Sequence, residues 1–221
     1  MAQQLLGVAA VAAWLSLLAA LALAVRRRWT GQREWSRKLV HIGTGAVVPI
    51  AWAFGLGRAI AVPAAGTITL LAALNHRMRV LPAIEDVDRP SYGTIAYCAS
   101  ITLLLWLYWP QQPAAVCAGV LVMALGDGLS GLLGPLLPSF SWTIWRQRKS
   151  VVGTAAMAAA SLVALLALAT AAATLAEPVP TLPALVAITG TAVLLEQLAV
   201  VGIDNFSVPV AVGWLWSWLA R

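Results

Sequence analysis

The sequence predicts an all-α fold, a single integral membrane domain of about seven to eight transmembrane helices, and three observations carry that expectation. The 221 residues are 61% hydrophobic and only 10% charged, with a mean hydropathy of +0.87, a balance that soluble domains do not reach. Apolar runs close to the roughly 20 residues that cross a hydrocarbon layer about 30 Å thick recur along the whole chain. Twelve of the fourteen Lys and Arg residues fall into three loops, at 26 to 38, 75 to 91 and 138 to 151, each separated from the next by two apolar runs. Basic loops stay on the cytoplasmic side, so these three loops belong inside and the N-terminus on the opposite face.

Division at the charged and Pro-rich breaks predicts spans near 5 to 25, 39 to 57, 59 to 75, 92 to 109, 113 to 137, 152 to 175, 183 to 202 and 206 to 220. The first is an N-terminal anchor: its positive charges follow the apolar run, unlike those of a cleaved signal peptide. The third and eighth are short enough to be tilted or half-length. Trp residues fit the same map, with Trp29, Trp35, Trp142 and Trp145 at the inner interface, Trp106, Trp109, Trp214, Trp216 and Trp218 at the outer one, and Trp14 within the first span.

The net charge of +6 follows from the positive-inside rule and does not call for nucleic acid. Cys98 and Cys117 stand in apolar runs without Cys-x-x-Cys or Cys/His spacing, so neither zinc nor a disulfide is expected. Gly126-x-Gly128-x-x-Gly131 spells a dinucleotide fingerprint, but that motif needs a preceding strand that a membrane helix cannot supply.

Acidic residues carry the functional signal. Asp127 is the only charge between Ala114 and Leu137, where an ionised side chain costs roughly 2.5 to 3.5 kcal/mol by insertion scales. The surrounding Gly126, Gly128, Gly131, Gly134 and Pro135 predict a broken helix or tight turn beside a polar cavity; a Gly-rich packing face with Asp127 paired to an arginine is the plainer alternative. Glu196, expected about two turns inside its span, needs a partner or a metal, and Asp204 follows it in an Asp-Asn turn.

Basic and hydroxyl groups sit at the same predicted face. Arg37, Lys38 and His41 open the second span, and Lys149-Ser150-Val151-Val152-Gly153-Thr154 opens the sixth, where free backbone N–H groups make an anion site. Snorkelling anchors and a Ser150 N-cap explain these residues equally well. Carboxylates beside cations are what metal-assisted phosphoryl transfer requires: acids hold Mg²⁺, cations neutralise phosphate, and little covalent chemistry remains for the protein.

Arg37-Lys38-x-x-His41, the patch from Ser91-Tyr92-Gly93-Thr94 to Tyr97, Gly126-Asp127-Gly128 to Gly134, Lys149-Ser150-x-x-Gly153-Thr154, and Glu196 with Asp204-Asn205-x-x-x-Pro209 together resemble the CTP-dependent polyprenol kinases. The phytol kinases of cyanobacteria and plastids are the nearest members, with dolichol kinase and CTP-dependent diacylglycerol kinase further away. The resemblance covers about residues 35 to 210, the kinase-like core. It implies transfer of the CTP γ-phosphoryl group to a membrane isoprenoid alcohol, phytol first among them, with Mg²⁺ or another divalent cation.

Carried onto this chain, Arg37, Lys38, Asp127, Gly134, Lys149, Ser150 and Gly153 fall on the family's nucleotide-site motifs, and His41, Gly128, Gly131, Arg148 and Thr154 beside them are further candidates for nucleotide or phosphate binding. Asp127, Glu196 and Asp204 become the catalytic and metal-holding acids, with base and metal roles open among them. The sequence Pro135-Leu136-Leu137-Pro138 departs from the family, which often carries basic residues there, and leaves more phosphate charge to Arg146, Arg148 and Lys149. Geranylgeraniol, farnesol, dolichol and diacylglycerol are the other acceptors the residues allow. A CDP-lipid-forming nucleotidyltransferase and an ion-coupled transporter are the rival functions, and a carrier's site is expected near the midplane instead of at one face.

Overall fold

The computed structural model describes residues 1–29, 33–78, 92–145 and 147–220, and of Arg33 the backbone alone. Ser91 and Arg146, named above, lie outside the described residues, as do Arg79, Glu85, Asp86, Asp88 and Arg89 of the second basic loop. The chain is a helix bundle, and an integral membrane protein by the length and apolarity of its helices. Among the described residues, Ala2–Arg28, Arg58–Met78, Pro113–Leu136 and Val151–Thr174 are long and apolar enough to cross a bilayer, while Gly93–Tyr108 and Leu182–Leu198 are apolar but shorter.

Helix α1 (Ala2–Arg28) ends on Arg26, Arg27 and Arg28, cations that favour a helix C-terminus. The expected second span is two helices, α2 (Arg33–Thr44) and α3 (Val47–Ala53), parted at Gly45 and Ala46. Gly45 is required there because a Cβ would run into Ala124. Trp14, the tryptophan placed within the first span, caps the break from α1 by donating its indole N–H to the Gly43 carbonyl at 2.8 Å. Helix α4 (Arg58–Met78) is a full-length span, longer than the sequence suggested.

Helix α5 (Gly93–Tyr108) and α6 (Pro113–Leu121) lead into the buried centre, where every residue of α6 up to Val120 is sealed from solvent. From Val122 to Asp127 the same helix widens into a π-helical segment and then resumes as α7 (Gly128–Leu136). The Gly-rich run therefore neither breaks nor turns, as expected from its glycines; it stays helical with a bulge.

The third basic loop holds a hairpin that its sequence did not announce: β1 (Ser141–Ile144) pairs antiparallel with β2 (Gln147–Ser150), Trp142 opposite Lys149, around Trp145 at a φ of 49°. Helix α8 (Val151–Thr174) follows at once, then α9 (Leu182–Leu198) and α10 (Asp204–Leu219). Because α9 stops at Leu198, Glu196 lies in its last turn and not two turns deep. Trp109 and Trp216 are 1% exposed, so they are core residues and not the interfacial anchors expected; Trp109 donates to the Leu56 carbonyl at 2.7 Å. Trp106, Trp145, Trp214 and Trp218 are more than half exposed. Neither Cys98 nor Cys117 takes part in a disulfide.

Candidate functional site

Five segments bring chemistry to one end of the bundle: the start of α2, the end of the π segment, strand β2 with the start of α8, the end of α9 and the start of α10. The first centre is built on Asp127. Lys38 donates from Nζ to Asp127 Oδ2 at 2.8 Å and to the Asp127 carbonyl at 3.1 Å. Three residues on, His41 puts Nε2 at 3.3 Å from the same Oδ2 and 3.1 Å from the Met123 carbonyl. A carbonyl only accepts, so this contact calls for the proton on Nε2. Tyr97 of α5 covers the imidazole with ring centroids 4.7 Å apart.

The π segment and its last residue offer two main-chain carbonyls to α2, and such bulges are frequent at functional sites. Met123 and Asp127 present theirs to His41 and Lys38. The lysine and carboxylate side chains are only 7% and 15% exposed, so this is a buried pair and not a surface one. Its partner is a lysine, not the arginine of the plainer alternative.

Two glycines make the approach of α2 to this helix feasible. A Cβ on Gly128 would overlap Ile42, and one on Gly131 would overlap Cε and Nζ of Lys38. Both thus serve helix packing and lysine placement; in the sequence they read as ligand-approach positions. Gly131→Ala is expected to lower stability by about 1 to 3 kcal/mol, the usual cost of overpacking, read as a drop in thermal unfolding temperature. Gly66→Ala in α4, where a Cβ meets nothing within 4 Å, is the control and should be neutral or slightly stabilising.

The second centre joins β2 to α9. Lys149 Nζ donates to Glu196 Oε1 and, at 2.8 Å, to the Glu196 carbonyl. These side chains are 9% and 6% exposed. Gln197, which the sequence reading passed over, completes the arrangement: its Nε2 donates to Glu196 Oε2 at 2.9 Å and to Thr154 Oγ1 of α8 at 3.0 Å. Its Oε1 is buried with no hydrogen-bond partner among the described residues. Position beside an ionisable group near the end of an apolar run was the signal that could have found it.

Ser150 caps α8 by accepting from the Gly153 N–H at 3.1 Å, the N-cap role weighed for it. Gly134 and Gly153 sit face to face, a Cβ on Gly134 coming within 3.4 Å of the Gly153 Cα, so α7 and α8 meet closely beneath the hairpin. Arg37 and Arg148 make their side-chain bonds outside the two ion pairs: Arg37 to Glu34 at 2.7 Å and Arg148 to Ser141 at 3.2 Å, both in exposed contacts.

Asp204 opens α10, ahead of its apolar run, and accepts from the Asn205 side chain at 3.5 Å. Burial raises its carboxyl, and so do the Asp127 and Glu196 carboxylates while Lys149 opposes them, pushing it up to about 6. Asp204 thus feels both ion pairs at once. Among the described residues no three His, Cys, Asp or Glu side chains form a ready metal cage; each of Asp127 and Glu196 holds a lysine instead.

A helical membrane bundle with two buried lysine–carboxylate pairs gathered at one end is the class of protein that this fold and site define. Over 194 residues, 84% of this chain and 81% of the relative, the sequence is 34% identical to the phytol kinase of Synechocystis sp.. The chain belongs to the phytol kinase family and is a kinase of that family. No protein-family model matches it, and no solved structure does.

Proposed function

We propose that this protein transfers the γ-phosphoryl group of CTP to the hydroxyl of phytol at the cytoplasmic face of a membrane, releasing CDP and phytyl phosphate. The observation that carries the reading is the meeting of Lys38–Asp127 and Lys149–Glu196 at one end of the bundle, in a chain akin to a phytol kinase. Phosphoryl transfer asks for positioned cations and a base and little else.

In this reading Lys149 and the capped N-terminus of α8, with Ser150, Gly153 and Thr154, hold the β- and γ-phosphates. Lys38 exchanges part of its grip on Asp127 for a phosphate oxygen, and Asp127 takes the proton of the alcohol as its oxygen attacks phosphorus. Arg37 and Arg148, engaged with Glu34 and Ser141, steer the nucleotide from the rim. The donor set suits a divalent cation. Mg²⁺ needs only one or two carboxylates beside substrate phosphates, and Glu196, Asp204 and the unpartnered Gln197 Oε1 supply hard oxygens. When bound, the ion neutralises charge on the transferred phosphoryl group.

Purified protein given α- or γ-labelled CTP, ATP or UTP and a panel of isoprenoid alcohols and diacylglycerol tests this directly. Label from γ-CTP should appear in phytyl phosphate and label from α-CTP in CDP. α-Label retained in the lipid, with pyrophosphate released, would make the protein a nucleotidyltransferase; γ-transfer from ATP alone would overturn the choice of donor.

A further inference from the structure

Threonines inside α8 and α9 commit their hydroxyl protons to the helix that carries them, with one exception. Thr170, Thr174, Thr189 and Thr191 each donate from Oγ1 to a carbonyl three or four residues back, at 2.7 to 3.0 Å. Thr154, four positions after the Ser150 cap, does not: its one side-chain hydrogen bond among the described residues is the bond it accepts from Gln197 at 3.0 Å. Its own proton is left uncommitted.

Charge fixes the direction of that bond. Glu196, already paired with Lys149 through Oε1, is a carboxylate that only accepts, so the Gln197 amide must turn its nitrogen toward Oε2, 2.9 Å away. The other N–H of the same nitrogen goes to Thr154, whose oxygen therefore accepts. Flipped, the amide would set its oxygen against a carboxylate oxygen. The observed orientation strands Oε1 in the interior without a partner among the described residues, a cost that calls for a reason.

The reason offered by the geometry is a second tie between two segments. Lys149 and Thr154 flank the capped first turn of α8, and Glu196 and Gln197 stand side by side in the last turn of α9. Lys149 meets Glu196 and Thr154 meets Gln197, so that first turn is held to α9 at both of its ends.

We infer that Gln197 is a positioning residue for the nucleotide: its amide holds the Glu196 carboxylate against Lys149 and turns the Thr154 hydroxyl so that its proton is offered to a phosphate oxygen. The inference rests on the kinase reading for the source of that phosphate, and on the hydrogen bonds of Gln197 for the orientation of Thr154.

The test is equilibrium binding of labelled CTP with Mg²⁺ to the purified protein, beside the product assay with phytol. Gln197→Met removes both N–H donors at similar volume, and the Kd and KM for CTP should rise about tenfold, the effect of about one hydrogen bond, while kcat changes much less. Gln197→Glu keeps an oxygen but loses the amide donors, and should behave as Gln197→Met does. Thr154→Val should give a similar rise and Thr154→Ser, which keeps the hydroxyl, a smaller one. Combining Thr154→Val with Gln197→Met should add little to the larger single effect, because both break one link. A merely structural role for Gln197 would lower the thermal unfolding temperature and leave Kd and KM where they were, which would overturn the inference. So would rescue by Gln197→Glu, which would make this side chain an oxygen ligand, or full additivity of the two substitutions. Should Gln197→Met fail to fold, equal Kd values in Thr154→Val and Thr154→Ser would overturn it as well. CTP binding that follows this pattern in a protein that phosphorylates no alcohol would keep the positioning role and remove the kinase reading, so the two fail separately.

Discussion

Asp127→Asn is expected to reduce phosphoryl transfer by a factor on the order of 10² to 10⁴, the usual contribution of a positioned proton acceptor. It should also weaken the fold, because Lys38 would keep a buried charge whose counter-ion is gone. Removing one partner of a buried pair costs about 3 to 5 kcal/mol, whereas replacing both with apolar groups of similar volume is often neutral. The double variant Lys38→Met with Asp127→Leu should therefore regain most of the lost thermal stability and none of the lost rate. Thermal unfolding in detergent, read beside the product assay, separates the two effects. Turnover retained in Asp127→Asn would take this residue out of the mechanism.

Lys149→Met is expected to act mainly on the nucleotide. A hydrogen bond to a charged group contributes about 1.5 to 3 kcal/mol, and each 1.4 kcal/mol is roughly tenfold in affinity, so the KM for CTP should rise about 10- to 100-fold. Glu196 would be left buried without its cation, and stability should fall as well. Adding Glu196→Gln should restore stability by neutralising that carboxylate while the KM stays high. A Lys149→Met enzyme with unaltered KM and rate would contradict the phosphate role.

Much of this architecture was legible from composition and charge, because a bilayer penalises charge so heavily that spans and loops separate cleanly along the chain. Helices α1, α4, α6 with α7, and α8 fall where the apolar runs put them. The misses have local causes. Gly45 and Ala46 part α2 from α3 because Ala124 presses against that point, a tertiary contact with no trace in hydropathy. The hairpin at Ser141–Ser150 was hidden in a basic loop, its four-residue strands too short to show a period.

At the site, the unusual residues were visible and their partners were not. A lone Asp127 in an apolar run, a Glu196 at the end of another and a Lys149 before a third each stood out by cost. Which cation would meet which acid depended on helix packing: Lys38 reaches Asp127 only because Gly131 leaves it room. Gln197 escaped notice because an amide carries no charge to flag it. The glycines of 126 to 134 read as ligand-facing by their freedom, and packing needs claimed them first.

The bulge at Val122–Asp127 sets the phase between two halves of one long rod. Each residue of an α-helix advances the chain by about 100°, so excising one amino acid upstream of Asp127 would swing everything after it by that angle. The carboxylate would then look toward a different neighbour, and Lys38 would face a blank wall. Fixed rotational timing, encoded in one surplus residue, keeps the two ends of this rod aimed at separate tasks.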